Sequence, residues 1–216
     1  MNFSEMGQSV ARLLRQAPGT NGLYTCADLS AVINDANLDV AKDTGAIQAE
    51  GSVNSVSLTY QYALSATAPN PLSIWKVYWN NQPLSRVNFG NFRWSRSDTK
   101  AVGSPTMYRI WNGMLELDPT PDSSYPIDIF YTKKPAFLSL STAETEMPSE
   151  FHMAIVYRAC SYLTIKDEKE MRYNAFFAKY QYELSRLRAL MTGNDTGVID
   201  LDPANASSLN NFYQMY

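Results

Sequence analysis

Histidine, cysteine and charge are all scarce in this chain. It has one histidine and two cysteines in 216 residues, and Asp, Glu, Lys and Arg together make only 18% of it, against a usual charged share of about 25%. Those shortages exclude most of catalysis. Cys26 and Cys160 lie far apart and match no zinc or redox spacing, and one histidine cannot complete a zinc set with them. They read as two buried thiols of a reducing compartment. His152 falls in the first turn of an expected helix, where a packed or surface imidazole is the simplest reading. Without it no Ser-His-Asp or Cys-His arrangement can be built. GxGxxG and GxxxxGK[ST] are both missing. No apolar run approaches the roughly 20 residues that span a bilayer. The N-terminal MNFSEMGQSVARLLRQ has an early glutamate and no apolar centre, so a signal peptide is not expected.

Basic runs are missing too. Eighteen Lys and Arg stand against 21 Asp and Glu, a net charge of −3, and no basic run exceeds two residues. Phosphate-neutralising proteins carry a basic face, so tight nucleic-acid binding is not expected. Asp195, Asp200 and Asp202 are the only charges after Gly193, and the whole net charge sits in that tail. Asp118 and Asp122 in LDPTPDSSYP, with Glu144 and Glu146 in a later loop, are carboxylates of the kind a glycosidase uses. Pro-rich turns between strands account for the aspartates equally well. The Asn-x-Ser/Thr triplets at Asn2, Asn194 and Asn205 carry no weight without secretion.

The patterning that is present divides the chain. Val10, Leu13, Leu14 and Ala17 form one helical stripe, with Ser4 as expected N-cap and Pro18-Gly19 as its stop. Thr25 and Asp28 are spaced as a capping box for a second helix. Its stripe is Leu29, Val32, Ile33, Ala36 and Val40, and Gly45 is its stop. From Gly51 the period becomes two. Val56, Leu58, Tyr60, Tyr62 and Leu64 predict a half-buried strand, and Ile74–Trp79 predict another. Asn112-Gly113 between Tyr108–Trp111 and Met114–Leu117 is a strong hairpin signal, and Ile127, Ile129 and Tyr131 predict a last strand. Helical periodicity returns at Pro148, with Phe151, Ile155, Ala159 and Leu163 on one face. A long helix begins at Asp167–Glu170. Its stripe is Tyr173, Phe176, Phe177, Tyr180, Leu184, Leu187 and Met191, with Arg172, Lys179, Glu183 and Arg186 on the other side. Neither two-helix half can bury its stripe alone. The expected fold class is therefore α+β. It is a four-helix bundle built from N- and C-terminal helix pairs (1–48 and 136–193), with an inserted antiparallel β domain (49–135) and an extended C-terminal tail (194–216). All four tryptophans lie in the β block. Its aromatics, in a chain with 14 Tyr, serve either its core or an exposed sugar- or protein-binding face.

One stretch, Gly103 to Leu163, carries more. Gly103, Pro105 and Tyr108 open it, and Leu117, Pro119 and Pro121 make a Leu-x-Pro-x-Pro turn. Tyr131 and Pro135 close the next strand, and Leu140-Ser141 and Glu146-Met147-Pro148 precede the helix. In order and spacing this resembles the head-to-tail adaptor proteins of tailed bacteriophages, although Met147 stands where that family more often has Leu. Asp28-Leu29 and Ile33-Asn34 extend the resemblance to the second helix, and residues 53–100 match only in layout. The resemblance implies a structural virion protein of the neck, assembled in the host cytoplasm, with no catalytic residues and no cofactor. It implies a homo-oligomeric ring, a dodecamer, beneath the portal protein. Such a ring extends the DNA channel, lets genomic DNA pass without specific binding, involves no membrane, and offers a surface to the tail or nozzle protein. Mild acidity suits a wall along which DNA slides. On this footing Arg172, Lys179, Glu183, Arg186 and Arg188 are the expected ring interface. Leu209, Phe212, Tyr213, Met215 and Tyr216, an aromatic tip on a polar stem, are the expected portal anchor. The competing reading is a tail-fibre or carbohydrate-binding β module of a virion or cell surface, using Trp75, Trp79 or Trp94.

Overall fold

Local capping chemistry sets where the first helices begin. The structure, a computed structural model, describes residues 1–15, 24–88, 101–139, 141–166 and 170–194. Helix α1 spans Phe3–Leu14 and is capped by Asn2, not by Ser4: the Asn2 side chain accepts from the Glu5 N–H while Glu5 reaches back to the Asn2 N–H. Asparagine one position earlier wins because Glu5 then stands at the third helical position, completing a reciprocal pair. Helix α2, Cys26–Thr44, has the expected Thr25/Asp28 capping box and ends at Gly45 with φ +66°. That left-handed conformation suits glycine because it has no Cβ.

Among the described residues, ten strands follow in the middle of the chain: β1 Gln48–Asn54, β2 Gln61–Ala63, β3 Pro71–Trp79, β4 Gln82–Pro83, β5 Ser85–Arg86, β6 Val102–Gly103, β7 Met107–Trp111, β8 Met114–Asp118, β9 Thr120–Pro121 and β10 Pro126–Lys133. A short helix, α3 (Leu64–Thr67), lies between β2 and β3. One sheet has the order β1-β10-β3-β4, antiparallel throughout, and a second has β2-β8-β7-β5. In the second sheet β5 runs parallel to β7, and β6 and β9 form a small parallel pair. The Asn112-Gly113 turn joins β7 to β8 with φ of +49° and +72° at its two residues. Two positive φ values in succession match the right-handed twist of the flanking strands. Asn80 and Asn81 make the corresponding turn from β3 to β4.

The alternation over 56–64 makes only the three-residue strand β2, at Gln61–Ala63. Val56 and Leu58 are exposed, and Leu58 sits at φ +66° in a turn. Strand β1 instead forms earlier, at 48–54, where it pairs with β10 from Gln48↔Thr132 to Asn54↔Pro126. Pairing with a buried central strand outweighs local alternation, and Tyr62 and Leu64 alone of the apolar 56–64 set are buried. Gly51 is required in β1: a Cβ there would lie 1.8 Å from the Thr67 carbonyl oxygen of α3.

After a 3-10 turn at Ser149–Phe151 come α4 (His152–Lys166) and α5 (Glu170–Asn194). Two apolar cores result among the described residues. One draws Met6, Val10 and Leu14 from α1, Ile33, Ala36 and Val40 from α2, Ile155, Ala159 and Leu163 from α4, and Tyr180, Leu184 and Leu187 from α5. The other lies in the β block and joins Val77, Trp79, Ile127, Ile129 and Tyr131 to Tyr108, Leu115 and Leu117. Helix α4 touches α1, α2 and α5, and it is buried well beyond the single expected face. Val156, Cys160, Ser161 and Thr164 are also covered, with the two hydroxyls bonded to backbone carbonyls of their own helix. A helix enclosed on several sides is a central helix.

Candidate functional site

Helix α5 is the element from which a binding surface can be built. Its core stripe behaves as the periodicity predicts: Tyr180, Leu184 and Leu187 are buried and Tyr173, Phe176 and Phe177 are half-buried. The charged residues expected on its reverse separate into two flanks. At 3.6 residues per turn, Arg172, Lys179, Glu183 and Arg186 line one flank and Arg188 falls on the opposite one. Several are engaged within the subunit. The Lys179 ammonium lies 5.5 Å from the Tyr157 ring centroid. Arg186 approaches Glu183 at 2.8 Å. The Arg188 guanidinium donates twice to the Asp43 carbonyl, at 2.9 and 3.2 Å, at the end of α2. Arg172 is exposed.

Beside α5 lies a polar junction that the sequence reading did not anticipate. Arg158 of α4 donates from Nε and Nη2 to Asp39 of α2, at 3.0 and 2.8 Å. Tyr162 donates to the same carboxylate, and Tyr180 donates to Asp43 at 2.5 Å. The guanidinium also lies over the rings of Tyr162, Phe177 and Tyr180. Burial disfavours the Arg158 charge, but Asp39 with Tyr162 and Tyr180 more than compensates, and its pKa rises. Burial and the Asp39 hydrogen bond push the Tyr162 phenol up to about 12. These groups hold α2, α4 and α5 in fixed relation.

The chemistry-bearing residues are dispersed. His152 is buried, with Nδ1 2.6 Å from the Met1 nitrogen and Nε2 donating to the Met147 carbonyl at 3.1 Å. Burial lowers its pKa. Cys160 is buried and burial pushes its thiol up to about 12, whereas Cys26 is exposed at the first turn of α2. The expectation of two buried thiols therefore holds for one. Helix α2 packs its core face three residues later, leaving its N-terminal position in solvent. Glu146 pairs with Lys133 at 2.8 Å, and Asp118 ends β8. A buried ion pair, Arg109–Glu116, crosses the β7–β8 hairpin, and Gln61 donates to Glu116 at 2.7 Å. No group of three or more metal-ligating side chains occurs among the described residues, and none of their helices is long and apolar enough to cross a membrane.

The aromatics of the β block divide between core and surface. Trp79 is buried, donates from Nε1 to Ser55 Oγ at 3.1 Å and meets Tyr125 edge to face, so it cannot stack on a sugar. Trp75 and Trp111 are exposed. Trp94 and the tail residues Leu209, Phe212, Tyr213, Met215 and Tyr216 lie outside the described residues.

The arrangement has apolar and charged surface for binding, and among the described residues it brings no acid, base and nucleophile together. A search of curated proteins finds no match. A family model, SU10 adaptor protein, matches residues 1–201. That span takes in both helix pairs and the whole β block, and the family is one of structural adaptors rather than enzymes. The chain belongs to the SU10 adaptor protein family, a phage head-tail adaptor family, and is thus a component of the virion.

Proposed function

We propose that this chain forms the ring that docks beneath the portal protein, extends the DNA channel and presents the attachment surface for the tail or nozzle protein. The carrying observation is the family match over residues 1–201. In this reading α1, α2, α4 and α5 act as one four-helix bundle (1–48 with 136–193), the strands form a β unit inserted at 49–135, and the ring has twelve copies. Arg172 and Arg186, exposed on one flank of α5, serve the contact between copies. Arg188, held by the Asp43 carbonyl, serves the fold first. The acidic balance, net −3, suits a channel wall past which DNA slides without binding. The tip residues Leu209, Phe212, Tyr213, Met215 and Tyr216 anchor the ring in the portal, because aromatic side chains on a polar stem supply large contact area with few rotors.

The test is to mix the chain with isolated portal rings and image the product by negative stain. A second ring stacked coaxially on the portal is the expected result. A chain lacking 205–216 is expected to stay folded and soluble yet to leave the portal bare. Equal binding by the truncated chain would remove the tail as anchor, and no stacked ring with the full chain would remove the docking role itself.

A further inference from the structure

Helix α5 is apolar on two opposite sides, and its core stripe uses only one. On the other side Met171, Ala175, Ala178 and Tyr182 follow at steps of four, three and four, all exposed, Met171 by 89% and Tyr182 by 67%. Steps of three and four keep side chains in one line along a helix, as in a coiled-coil seam. Arg172, Lys179, Glu183 and Arg186 flank this ridge on one side, net basic, and Glu170, Asn174, Gln181 and Arg188 flank it on the other, where Arg188 is tied to the Asp43 carbonyl of its own subunit.

A receptor of matching pattern lies elsewhere on the same chain. Helix α2 and the segment 133–137 bound an open cleft of about 690 Å³. Its floor is Ala27, Ala31, Asn34 and Leu38, again at steps of four, three and four, and Phe137, 69% exposed, stands on its wall. The rims are oppositely charged, with Asp35 on the α2 side and Lys134 on the other. Ridge and floor have the same length, since twelve helical positions span about 17 Å at 1.5 Å per residue. Small floor residues admit a helix closely, and Met171 and Tyr182 are the large side chains that fill the ends. Of the two directions in which a helix can lie in the cleft, one sets the basic flank of α5 against Asp35 and Glu170 against Lys134.

We infer that the occupant of the α2 cleft is α5 of a second copy of this chain, running antiparallel to α2, with Met171, Ala175, Ala178 and Tyr182 seated on Leu38, Asn34, Ala31 and Ala27 respectively. Ridge and cleft are different surfaces, so the contact is heterologous: each copy is left with one unused ridge or cleft, and association continues until a ring closes. The inference rests on the ring reading above and supplies its contact. It gives the charges on α5 a steering part and the apolar ridge the binding part.

Two substitutions test it, Ala178→Glu on the ridge and Ala31→Glu in the cleft, both at exposed positions. The oligomeric state is measured by mass photometry, for the chain alone and with portal rings. The wild-type chain is expected to form rings, and each variant alone is expected to be a monomer with unchanged circular dichroism and melting temperature. Their equimolar mixture is expected to give one-to-one dimers and nothing larger, since the variants retain one good ridge and one good cleft between them. Rings from either variant would overturn the contact while leaving the ring reading intact. A wild-type chain that stays monomeric both alone and on the portal would overturn both. Should a variant fold poorly, disulfide trapping decides instead. A chain with Ala31→Cys, Ala178→Cys and Cys26→Ser is expected to give a covalent ladder on oxidation in the assembled ring, and a ring without a ladder would overturn the contact.

Discussion

Charge buried in the β7–β8 hairpin makes the sharpest residue-level prediction. Arg109 and Glu116 are both nearly inaccessible and compensate one another. Glu116→Gln removes the charge that compensates the guanidinium, and losing one partner of a buried pair costs about 3–5 kcal/mol. We expect the double variant Arg109→Met/Glu116→Leu to recover most of that loss in urea denaturation, and a double variant no more stable than the single one would show that other contacts of these residues dominate. Thiol chemistry is predicted just as directly. Cys26 is exposed and Cys160 is buried, so one thiol per native chain is expected to react with a disulfide reagent, the second only after unfolding. His152 provides the pH dependence. Burial lowers its pKa in the folded chain below the ordinary 6.5, and the nearby Met1 ammonium adds to this against the opposing carboxylates of Glu150 and Glu144 and the Met147 carbonyl. The unfolded chain then takes up the proton first, so this contribution is complete above pH 6.5 and is lost as pH falls through the lower folded value. Melting temperatures between pH 7 and 5.5 are expected to fall for the wild-type chain and to fall less steeply for His152→Gln.

At the scale of elements, turn and cap chemistry was the readable part and strand placement was not. Thr25/Asp28, Gly45, Asn80-Asn81 and Asn112-Gly113 all end or join elements as their local chemistry demands. The hairpin even made the Arg109–Glu116 pair accessible to reading, because a two-residue turn at 112–113 places 109 opposite 116; only its burial was hidden. Residues 56–64 were misleading because period-two alternation reports a half-buried surface, not which strand will cover it. Strand β1 won its place at 48–54 through pairing with β10 and through Gly51, which lets the α3 carbonyl approach. Gly51→Ala would put a Cβ 1.8 Å from that oxygen, and overpacking of this kind costs about 1–3 kcal/mol. We expect a lowered denaturation midpoint, whereas Gly113→Ala, with open space around its Cβ, is expected to cost less, chiefly through the left-handed φ.

For the whole molecule, two cores within one chain raise the question of cooperativity. The helical core draws on residues from Met6 to Leu187, and the core of the β block on residues from Tyr62 to Tyr131. They adjoin where α2 gives way to β1: the Lys133 N–H donates to the Ile47 carbonyl at 2.8 Å, and Leu72 packs on the helical core. Native-state hydrogen exchange is expected to resolve the strands around Ile127 and Ile129 as a cooperative unit distinct from α4. A single shared opening free energy would instead make the two cores one unit.

The sequence by itself determined the order helices–strands–helices, the Thr25/Asp28 cap and Gly45 stop of α2, the Asn112-Gly113 hairpin and the apolar residues of α2, α4 and α5, because periodicity and turn chemistry are local properties. It also determined the family, through turn motifs whose spacing persists when no single one is specific. What only the tertiary structure decided is which partner each stripe meets. It made α4 the enclosed helix, placed Arg158 among Asp39, Tyr162 and Tyr180, moved the first strand to 48–54 and left the second side of α5 exposed. Those outcomes depend on residues far apart in the chain being brought into contact, Asn54 with Pro126 or Asp39 with Arg158, and such contacts leave no mark on the local pattern of either segment.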